Sequence, residues 1–231
     1  MAVRMAEQFK VDIGAGQSVT ATVYPAVTKS RARITLILGH GAGAGQTSAF
    51  MVMFATELAS RGIDAVTFNF SYIERGRHVP DPGDKLEACY RSVIEAARVH
   101  KKLKGNKLAI GGKSMGGRIA SQVAAKGLED LLGLVFVGYP LHPPGRPEQL
   151  RSKHLPDIKA PMLFVQGSRD SFGTPDELRP IIKKLKTQCK LYEVTGGDHS
   201  LKVPKSAGVP QDEVYAGVLD EIANWLTSRS V

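Results

Sequence analysis

The feature that most constrains the fold of this chain is a regular alternation of short apolar runs with stretches of helical periodicity. Ile34 to Leu38 is an apolar run broken only by Thr35, and the mainly apolar run from Ile63 to Phe70 is predicted as the next strand. Runs of this kind are typical of strands buried on both faces of a parallel sheet. Between the two runs the apolar residues recur at helical spacing, which predicts a helix carrying Phe50, Met53, Phe54 and Leu58.

The alternation continues on both sides of this segment. Phe9 to Ile13 and Val19 to Tyr24 predict an opening pair of strands joined by a glycine-containing turn. Strands that alternate with helices predict a single α/β domain over residues 1–231, with helices on both faces of a mostly parallel sheet. The later strands are predicted at Leu108 to Gly111, Leu132 to Val137, Met162 to Val165 and Lys190 to Val194, and a closing helix carries Trp225.

The clearest helix start lies between the last two predicted strands, at Thr174. Its hydroxyl is suited to cap the helix, and Pro175 suits the first helical position. Glu177 is placed to return a hydrogen bond to the capping residue. The segment therefore predicts a capping box.

A glycine-rich segment between a predicted strand and a predicted helix carries the first chemical motif. Gly112-x-Ser114-x-Gly116 matches the Gly-x-Ser-x-Gly nucleophile elbow, in which a serine lies on a tight strand-to-helix turn. Glycine is expected on both sides because a side chain there would collide with the neighbouring strand or helix. The hydroxyl is then exposed at a helix N-terminus, where developing negative charge is stabilised. Ser114 is therefore the predicted nucleophile.

A serine hydroxyl needs a general base to become a good nucleophile. His199 follows the last predicted strand, and Asp170 follows the strand before it. Functional residues of a parallel sheet lie in the loops after the strand C-termini, so these side chains are expected to meet Ser114 there. The order Ser, Asp, His is also the order expected for a triad on such a sheet. Asp198 is the alternative acid, and we interpret it as a residue that shapes the loop.

The turn after the first buried strand, residues 39–45, consists of small residues and one histidine. Small residues let the backbone approach a substrate closely, and backbone N–H groups are the usual donors to an oxyanion. We therefore predict that the amides of Ala42 and Met115 form an oxyanion hole, with Gly41 and Gly43 beside the substrate. His40 is interpreted as a side chain that braces the turn.

These segments together resemble the α/β-hydrolase superfamily over nearly the whole chain. The resemblance rests on the His-Gly turn, the elbow, Gly-x-x-Asp170 and Gly-Asp-His199. The compact length and Gly112-Lys-Ser-Met-Gly-Gly-Arg118 are similar to the dienelactone-hydrolase-like and testis-expressed/KANSL-type branch, which implies an eight-stranded core. Dienelactone hydrolases proper use a cysteine nucleophile, so their substrate is not carried over to a chain with Ser114. Some relatives on this branch are regarded as complex subunits, which leaves a non-catalytic binding protein as the alternative function.

Two nucleotide-binding motifs are imitated but fail on spacing. A phosphate-binding loop ending in Gly112-Lys113-Ser114 requires glycine where Lys107 stands. A dinucleotide fingerprint beginning at Gly39 requires an acidic residue after the next strand, and the strand ending at Phe70 supplies none. No cofactor or metal is expected, since no His, Cys or carboxylate cluster has ligand spacing.

The segment between Tyr139 and Pro161 is too short and too rich in proline for a lid domain. An open, shallow site for small or exposed acyl compounds is therefore expected. Its rim is predicted at residues 71–83 and 141–147, with Tyr72, Tyr139 and His142 as substrate-binding side chains. The basic rim residues are interpreted as solvated, with a preference for anionic acyl groups as the alternative; they are Arg75, Arg77, His78 and Arg146.

The net charge of +9 invites a nucleic-acid interpretation. The basic residues are spread over the chain, however, and the two lysine clusters, at 101–104 and 183–186, are predicted to lie in the last turns of helices, where cations are favoured. No nucleic-acid partner is therefore expected. Two cysteines are too few for a disulfide framework, and no segment is typical of a signal peptide or a membrane span. A cytoplasmic protein is expected.

The sequence thus predicts a serine hydrolase that transfers an acyl group to water. Ser114 attacks a carbonyl carbon, His199 moves the proton, and Asp170 orients the histidine. A small carboxylic ester is the expected substrate, while a thioester, a lactone and a short peptide stay open.

Overall fold

The computed structural model describes residues 6–27 and 31–230. The strands are β1 (Glu7–Gly14), β2 (Gln17–Tyr24), β3 (Ile34–Gly39), β4 (Asp64–Phe68), β5 (Lys107–Lys113), β6 (Leu131–Val137), β7 (Met162–Gly167) and β8 (Cys189–Val194). The helices are α1 (Ala49–Ser60), α2 (Ser71–Glu74), α3 (Gly83–Val99), α4 (Met115–Ala125), α5 (Pro175–Ile182) and α6 (Gln211–Thr227). None of the described helices is both long enough and apolar enough to cross a membrane.

All eight strands form one open sheet in the order β1-β2-β4-β3-β5-β6-β7-β8. β1 and β2 form the antiparallel hairpin that the sequence predicts, and β2 also runs antiparallel to β4. Every other neighbouring pair is parallel. The predicted mostly parallel, eight-stranded sheet is therefore confirmed, and the C-terminal ends of six strands, β3 to β8, open toward one edge.

Helices cover both faces of the sheet because successive strand residues point to opposite sides. In β3, Ile37 contributes to the core beneath α3, α4 and α5, whereas its neighbour Leu36 contributes to the core beneath α1 and α6. Gly133 of β6 shows how closely the second layer packs, since a Cβ there would lie 2.5 Å from the Trp225 ring of α6. The two layers fix where the helices lie relative to the open edge.

Two local predictions differ from the structure, and a third agrees with it. The predicted polar loop at 71–83 begins with a short helix, α2. The two lysine clusters do not lie in the last helical turns, because α3 ends at Val99 and α5 ends at Ile182, before the lysines begin. They are connections between elements. The segment between β6 and β7 contains a short 3-10 helix, Leu155–Asp157, and no inserted domain, as predicted.

The capping box of α5 is confirmed. Glu177 N donates to Thr174 Oγ1 over 3.4 Å, and Thr174 N donates to Glu177 Oε2 over 2.8 Å. Thr174→Ala removes the first bond, so we expect the free energy of unfolding to fall by about 1 kcal/mol. Urea denaturation measures the change. Ser48→Ala is the matched control, because Ser48 precedes α1 without a side-chain capping bond; equal losses in both variants would contradict the prediction.

Candidate active site

Ser114 lies between the last residue of β5 and the first residue of α4. Its backbone has φ +50° and ψ −117°, a conformation that non-glycine residues rarely adopt. The Ser114 amide donates to the carbonyl of Val137 over 3.0 Å, which anchors the turn to β6. The sharp turn projects the serine side chain beyond the C-terminal edge of the sheet.

The flanking glycines are required by the close approach of β3 to this turn. A Cβ on Gly112 would lie 2.2 Å from the carbonyl oxygen of Gly39, and a Cβ on Gly116 would lie 2.1 Å from the same atom. Both distances are far inside van der Waals contact, and all of the atoms that would have to move belong to the backbone. The predicted steric reason for both glycines therefore agrees with the geometry.

The structure brings Ser114, His199 and Asp170 together. His199 Nε2 lies 2.8 Å from Ser114 Oγ. His199 Nδ1 lies 2.8 Å from Oδ2 and 2.9 Å from Oδ1 of Asp170. Because an ionised carboxylate only accepts, Nδ1 carries the proton and Nε2 is free to accept the serine hydroxyl. This arrangement can take a proton from Ser114 when the hydroxyl attacks.

The Asp170 carboxylate is held by neighbours that the sequence did not single out. Asp170 is 2% exposed, and its oxygens accept from Gln166 Nε2 and from the Phe172 amide, both over 2.8 Å. The Phe172 ring packs against the imidazole of His199 with ring centroids 4.2 Å apart. Gln166 was detectable in principle, since it is a glutamine at the end of an otherwise apolar strand.

Asp198 takes no part in this hydrogen-bonded chain. Its Oδ1 accepts from the Ser200 amide over 2.7 Å and from the Lys202 amide over 2.9 Å. Asp198 therefore shapes the loop that presents His199, which is the role that the sequence indicated.

The turn after β3 lies beside the elbow. Ala44 N donates to the Gly41 carbonyl over 3.3 Å, and Gly43 has φ +70°, as the third position of a type II turn requires. A Cβ on Gly41 would lie 3.8 Å from that of Ser114. Within the described chain, the amides of Ala42 and Met115 make no hydrogen bond to a protein acceptor. Both are thus available to a ligand oxygen near Ser114.

His40 braces this turn from below, as predicted. Its Nε2 accepts from the Phe70 amide over 3.1 Å, so Nδ1 carries the proton and donates to the Gly41 carbonyl over 2.8 Å. The ring is fully buried. Burial lowers the pKa of His40 to about 4, although the bond to Gly41 acts in the opposite direction. His40 is therefore neutral near pH 7.

A cavity of about 930 Å³ opens at Ser114. Phe50, Met53 and Tyr215 line the side formed by α1 and α6. The opposite side, formed by α3, α4 and the connections around them, is lined by Pro80, Asp81, Leu86, Arg118, Pro140 and Arg151. The cavity thus spans both faces of the sheet, with Ser114 and His199 between its two halves.

A family model described as an alpha/beta hydrolase domain matches residues 32–227 of the chain. The chain belongs to the α/β-hydrolase superfamily.

Solved structures at low sequence identity share its fold. An α/β serine hydrolase without a lid from Xanthomonas campestris is 20% identical, and the match covers 94% of this chain and 93% of that one with a TM-score of 0.73. A dienelactone hydrolase from Anabaena variabilis is 18% identical, with 96% of each chain covered and a TM-score of 0.74. The esterase domain of a Rhodothermus marinus protein is 12% identical, with 97% of this chain and 98% of that one covered and a TM-score of 0.70. The predicted fold class is confirmed.

Three side chains predicted to bind substrate do not line the cavity of this α/β-hydrolase. Tyr72 is fully buried with its ring centroid 5.9 Å from that of His40, beneath the turn. Tyr139 is fully buried, and its hydroxyl donates to the Arg151 carbonyl over 2.8 Å. His142 is 5% exposed and lies 3.1 Å from Glu177. These three side chains instead pack behind the residues that line the cavity.

Only some of the turn glycines and predicted rim residues line the cavity. Gly41 lines the cavity, whereas Gly43 faces outward from the exposed tip of the turn. Residues 80, 81 and 83 of the predicted 71–83 rim line it, whereas residues 141–147 do not. In addition to the predicted rim, α1 and α6 build a wall of the cavity opposite α3.

The arginines predicted on the rim also lie elsewhere. Arg75 pairs with Asp81 over 3.0 Å, and Arg77 is bonded to the same carboxylate. Arg146 and His78 are exposed, and none of these four residues lines the cavity. The interpretation of these four residues as solvated agrees with their exposure, and the alternative role in binding anionic acyl groups is not supported by their positions.

Lys113 contacts the predicted base from within the elbow. Its Nζ donates to the His199 carbonyl, and Gly138 has to be glycine because a Cβ there would lie 2.8 Å from that same oxygen. Burial lowers the pKa of Lys113 to about 8, although Asp170 and Asp198 act in the opposite direction. No sequence pattern indicates this contact, since it joins two residues that are far apart along the chain.

The low pKa of His40 predicts a pH-dependent loss of stability. Unfolded His40 takes up a proton near pH 6.5 and folded His40 only near pH 4, so its contribution is complete above pH 6.5 and is lost as the pH falls toward 4. The difference corresponds to about 3 kcal/mol. In His40→Gln, urea denaturation should show that much less loss of stability over this interval. His78→Gln, at an exposed histidine, should behave like the wild type; an unchanged pH profile in His40→Gln would refute the assignment.

The Lys113 bond predicts an effect on the reactivity of Ser114. Lys113→Met releases the His199 carbonyl, so the imidazole is held less firmly against Ser114. We expect the rate of labelling by a fluorophosphonate to fall about tenfold or more. Lys202→Met is the control, because Lys202 lines the same cavity without contacting the His199 carbonyl. Equal labelling rates in the two variants would count against a positioning role for Lys113.

Proposed function

We propose that this α/β-hydrolase cleaves a carboxylic ester, or a related small acyl compound, through an acyl-enzyme formed on Ser114. The observation that carries the proposal is the continuous hydrogen-bonded chain from Ser114 Oγ through His199 to the buried carboxylate of Asp170. The Ser114 end of these hydrogen bonds opens into a cavity of about 930 Å³, a volume within the usual range for ligand-binding clefts.

The first half of the proposed reaction forms the acyl-enzyme. Ser114 Oγ attacks the carbonyl carbon while His199 Nε2 takes the hydroxyl proton. Asp170 stabilises the resulting imidazolium without becoming protonated. The amides of Ala42 and Met115 donate to the oxyanion, and each such donor contributes on the order of 10² to 10³ in rate. His199 then gives the proton to the leaving alkoxide as its bond to carbon breaks.

The second half hydrolyses the acyl-enzyme. A water molecule takes the place of the leaving group, and His199 removes its proton as it attacks the acyl carbon. Collapse of the second tetrahedral intermediate returns the proton to Ser114 and releases the acid. The mechanism requires no metal or organic cofactor, and its partner is a small acyl compound rather than a nucleic acid.

Several names among the structural relatives support this proposal. They include a serine hydrolase without a lid and an esterase domain. We infer from the residues of the elbow that the chain lies in the dienelactone-hydrolase-like or testis-expressed/KANSL-type branch, and from its cysteine usage that it acts in the cytoplasm. The alternative function is that of a non-catalytic binding protein, which would have the same fold.

Fluorophosphonate labelling tests the nucleophile directly. The wild type should label at Ser114, and both Ser114→Ala and His199→Ala should lose labelling by at least about 10³-fold. Ser121→Ala is the matched control, because Ser121 also lies 2.7 Å from a histidine, His154, but is completely buried. It should label like the wild type. A folded wild type that does not label would reject the hydrolase mechanism and favour the binding protein.

A further inference from the structure

Two arginines lie in the cavity wall on the α3 and α4 side. Arg118 is one helical turn after Ser114 on α4, and its amide donates to the Ser114 carbonyl over 3.1 Å. Arg151 comes from the segment between β6 and β7. Both side chains are half-buried and line the cavity.

Neither guanidinium is neutralised by a carboxylate in the described residues. The bond that Arg118 makes through its side chain is a long one, from Nη1 to Gln122 Oε1 over 3.3 Å, and its Nε is buried without a hydrogen-bond partner. Arg151 makes no side-chain hydrogen bond or ion pair to any residue of 6–27 or 31–230. Burial and the nearby charge of Arg151 lower the pKa of Arg118. Buried donors without partners are costly, so an anion that accepts from these groups would stabilise the arrangement.

The nearby carboxylates are engaged elsewhere. Glu87, which lies near Arg118, forms an ion pair with Lys126 over 2.5 Å. Asp81, which lines the same side of the cavity, is bonded to Arg75 and Arg77. The two cavity arginines therefore differ from Arg75 and Arg77, whose charges are matched by Asp81.

Hydrogen bonds fix the backbone from which each of the two arginines extends. The Arg151 amide donates to the Leu141 carbonyl over 2.7 Å, and its carbonyl accepts from buried Tyr139. On α4, Ser121 Oγ donates to the Arg118 carbonyl over 2.6 Å and lies 2.7 Å from His154, three residues beyond Arg151. These bonds hold the backbone of both arginines in place, and the charge of Arg151 is near enough to lower the pKa of Arg118, so both residues are placed at one wall of the cavity before any ligand arrives.

We propose that Arg118 and Arg151 form an anion subsite that binds a carboxylate of the substrate, and that the preferred substrates are acyl compounds bearing a second, ionised carboxyl group. This inference rests on the proposed hydrolase function and adds the substrate class. The planar guanidinium matches a carboxylate with paired hydrogen bonds. The apolar residues on the α1 and α6 side, Phe50, Met53 and Tyr215, receive the uncharged end of the molecule.

The kinetic test compares a charged ester with its neutral counterpart. The substrates are the monomethyl and dimethyl esters of succinic, glutaric and adipic acids, and the readout is the ratio of kcat/KM for monoester to diester. We expect this ratio to fall about 10- to 100-fold in Arg118→Gln and in Arg151→Gln, because each removes a charged hydrogen-bond donor. Arg118→Lys should keep part of the preference, and added salt should reduce it in the wild type.

Arg146→Gln is the control for the loss of one positive charge, because Arg146 is exposed and does not line the cavity. It should leave the ratio unchanged. Equal ratios in the wild type and both cavity variants would overturn the subsite while leaving the hydrolase function intact. A ratio that falls equally in Arg146→Gln would also overturn it, since the preference would then come from net charge.

A binding test separates failure of the subsite from failure of the hydrolase function. Titration calorimetry of monomethyl glutarate with Ser114→Ala protein measures affinity without turnover. Arg118→Gln in the same background should weaken binding about 10- to 100-fold. An unchanged affinity, or no binding in the Ser114→Ala protein, would reject the subsite. Absence of fluorophosphonate labelling with the expected loss of binding would instead reject catalysis and retain the subsite.

Discussion

The close approach of the Gly39 carbonyl to the elbow is the contact on which the rest of the site depends. It lets β3 and β5, which are neighbours in the sheet, end in two turns that touch each other. One turn raises Ser114 above the sheet, and the other presents its amides beside it. A single Cβ at Gly112 or Gly116 would push the two strand ends apart by more than an ångström, and the donors of one turn would no longer face the hydroxyl of the other.

The residues that contact Ser114 are supported by a second set of buried residues. Buried residues such as His40 and Gln166 hold the turns and side chains that surround Ser114. Gln166 also accepts from the Tyr139 amide over 2.8 Å and thereby links Asp170 to the start of the segment that carries Arg151. The Asp170 carboxylate and the segment that carries Arg151 are therefore both supported by the Gln166 side chain. A shift of β7, which carries Gln166, would affect both.

The sequence predicted those parts of the fold and site that depend on local pattern and on strand order. All eight strands, the elbow glycines and the relation between Ser114, Asp170 and His199 follow from periodicity and from the rule that loops after parallel strands meet at one edge. The cavity wall was not predictable in this way. Whether Tyr72 or Tyr139 faces the cavity or the core depends on the direction of one side chain in a short segment, where no periodic pattern indicates that direction.

The basic residues show the same limit of prediction from sequence, and they support the proposed preference of this site for anionic substrates. The net charge of +9 is a property of the whole chain, whereas the field inside the cavity depends on which arginines are matched by carboxylates. Arg75 and Arg77 share Asp81, so little of their charge is available to a ligand. Arg118 and Arg151 lack such a partner among the described residues, and they line a cavity that partly shields them from water. Because electrostatic interactions strengthen as water is excluded, two unmatched arginines in a cleft outweigh many solvated ones on the surface.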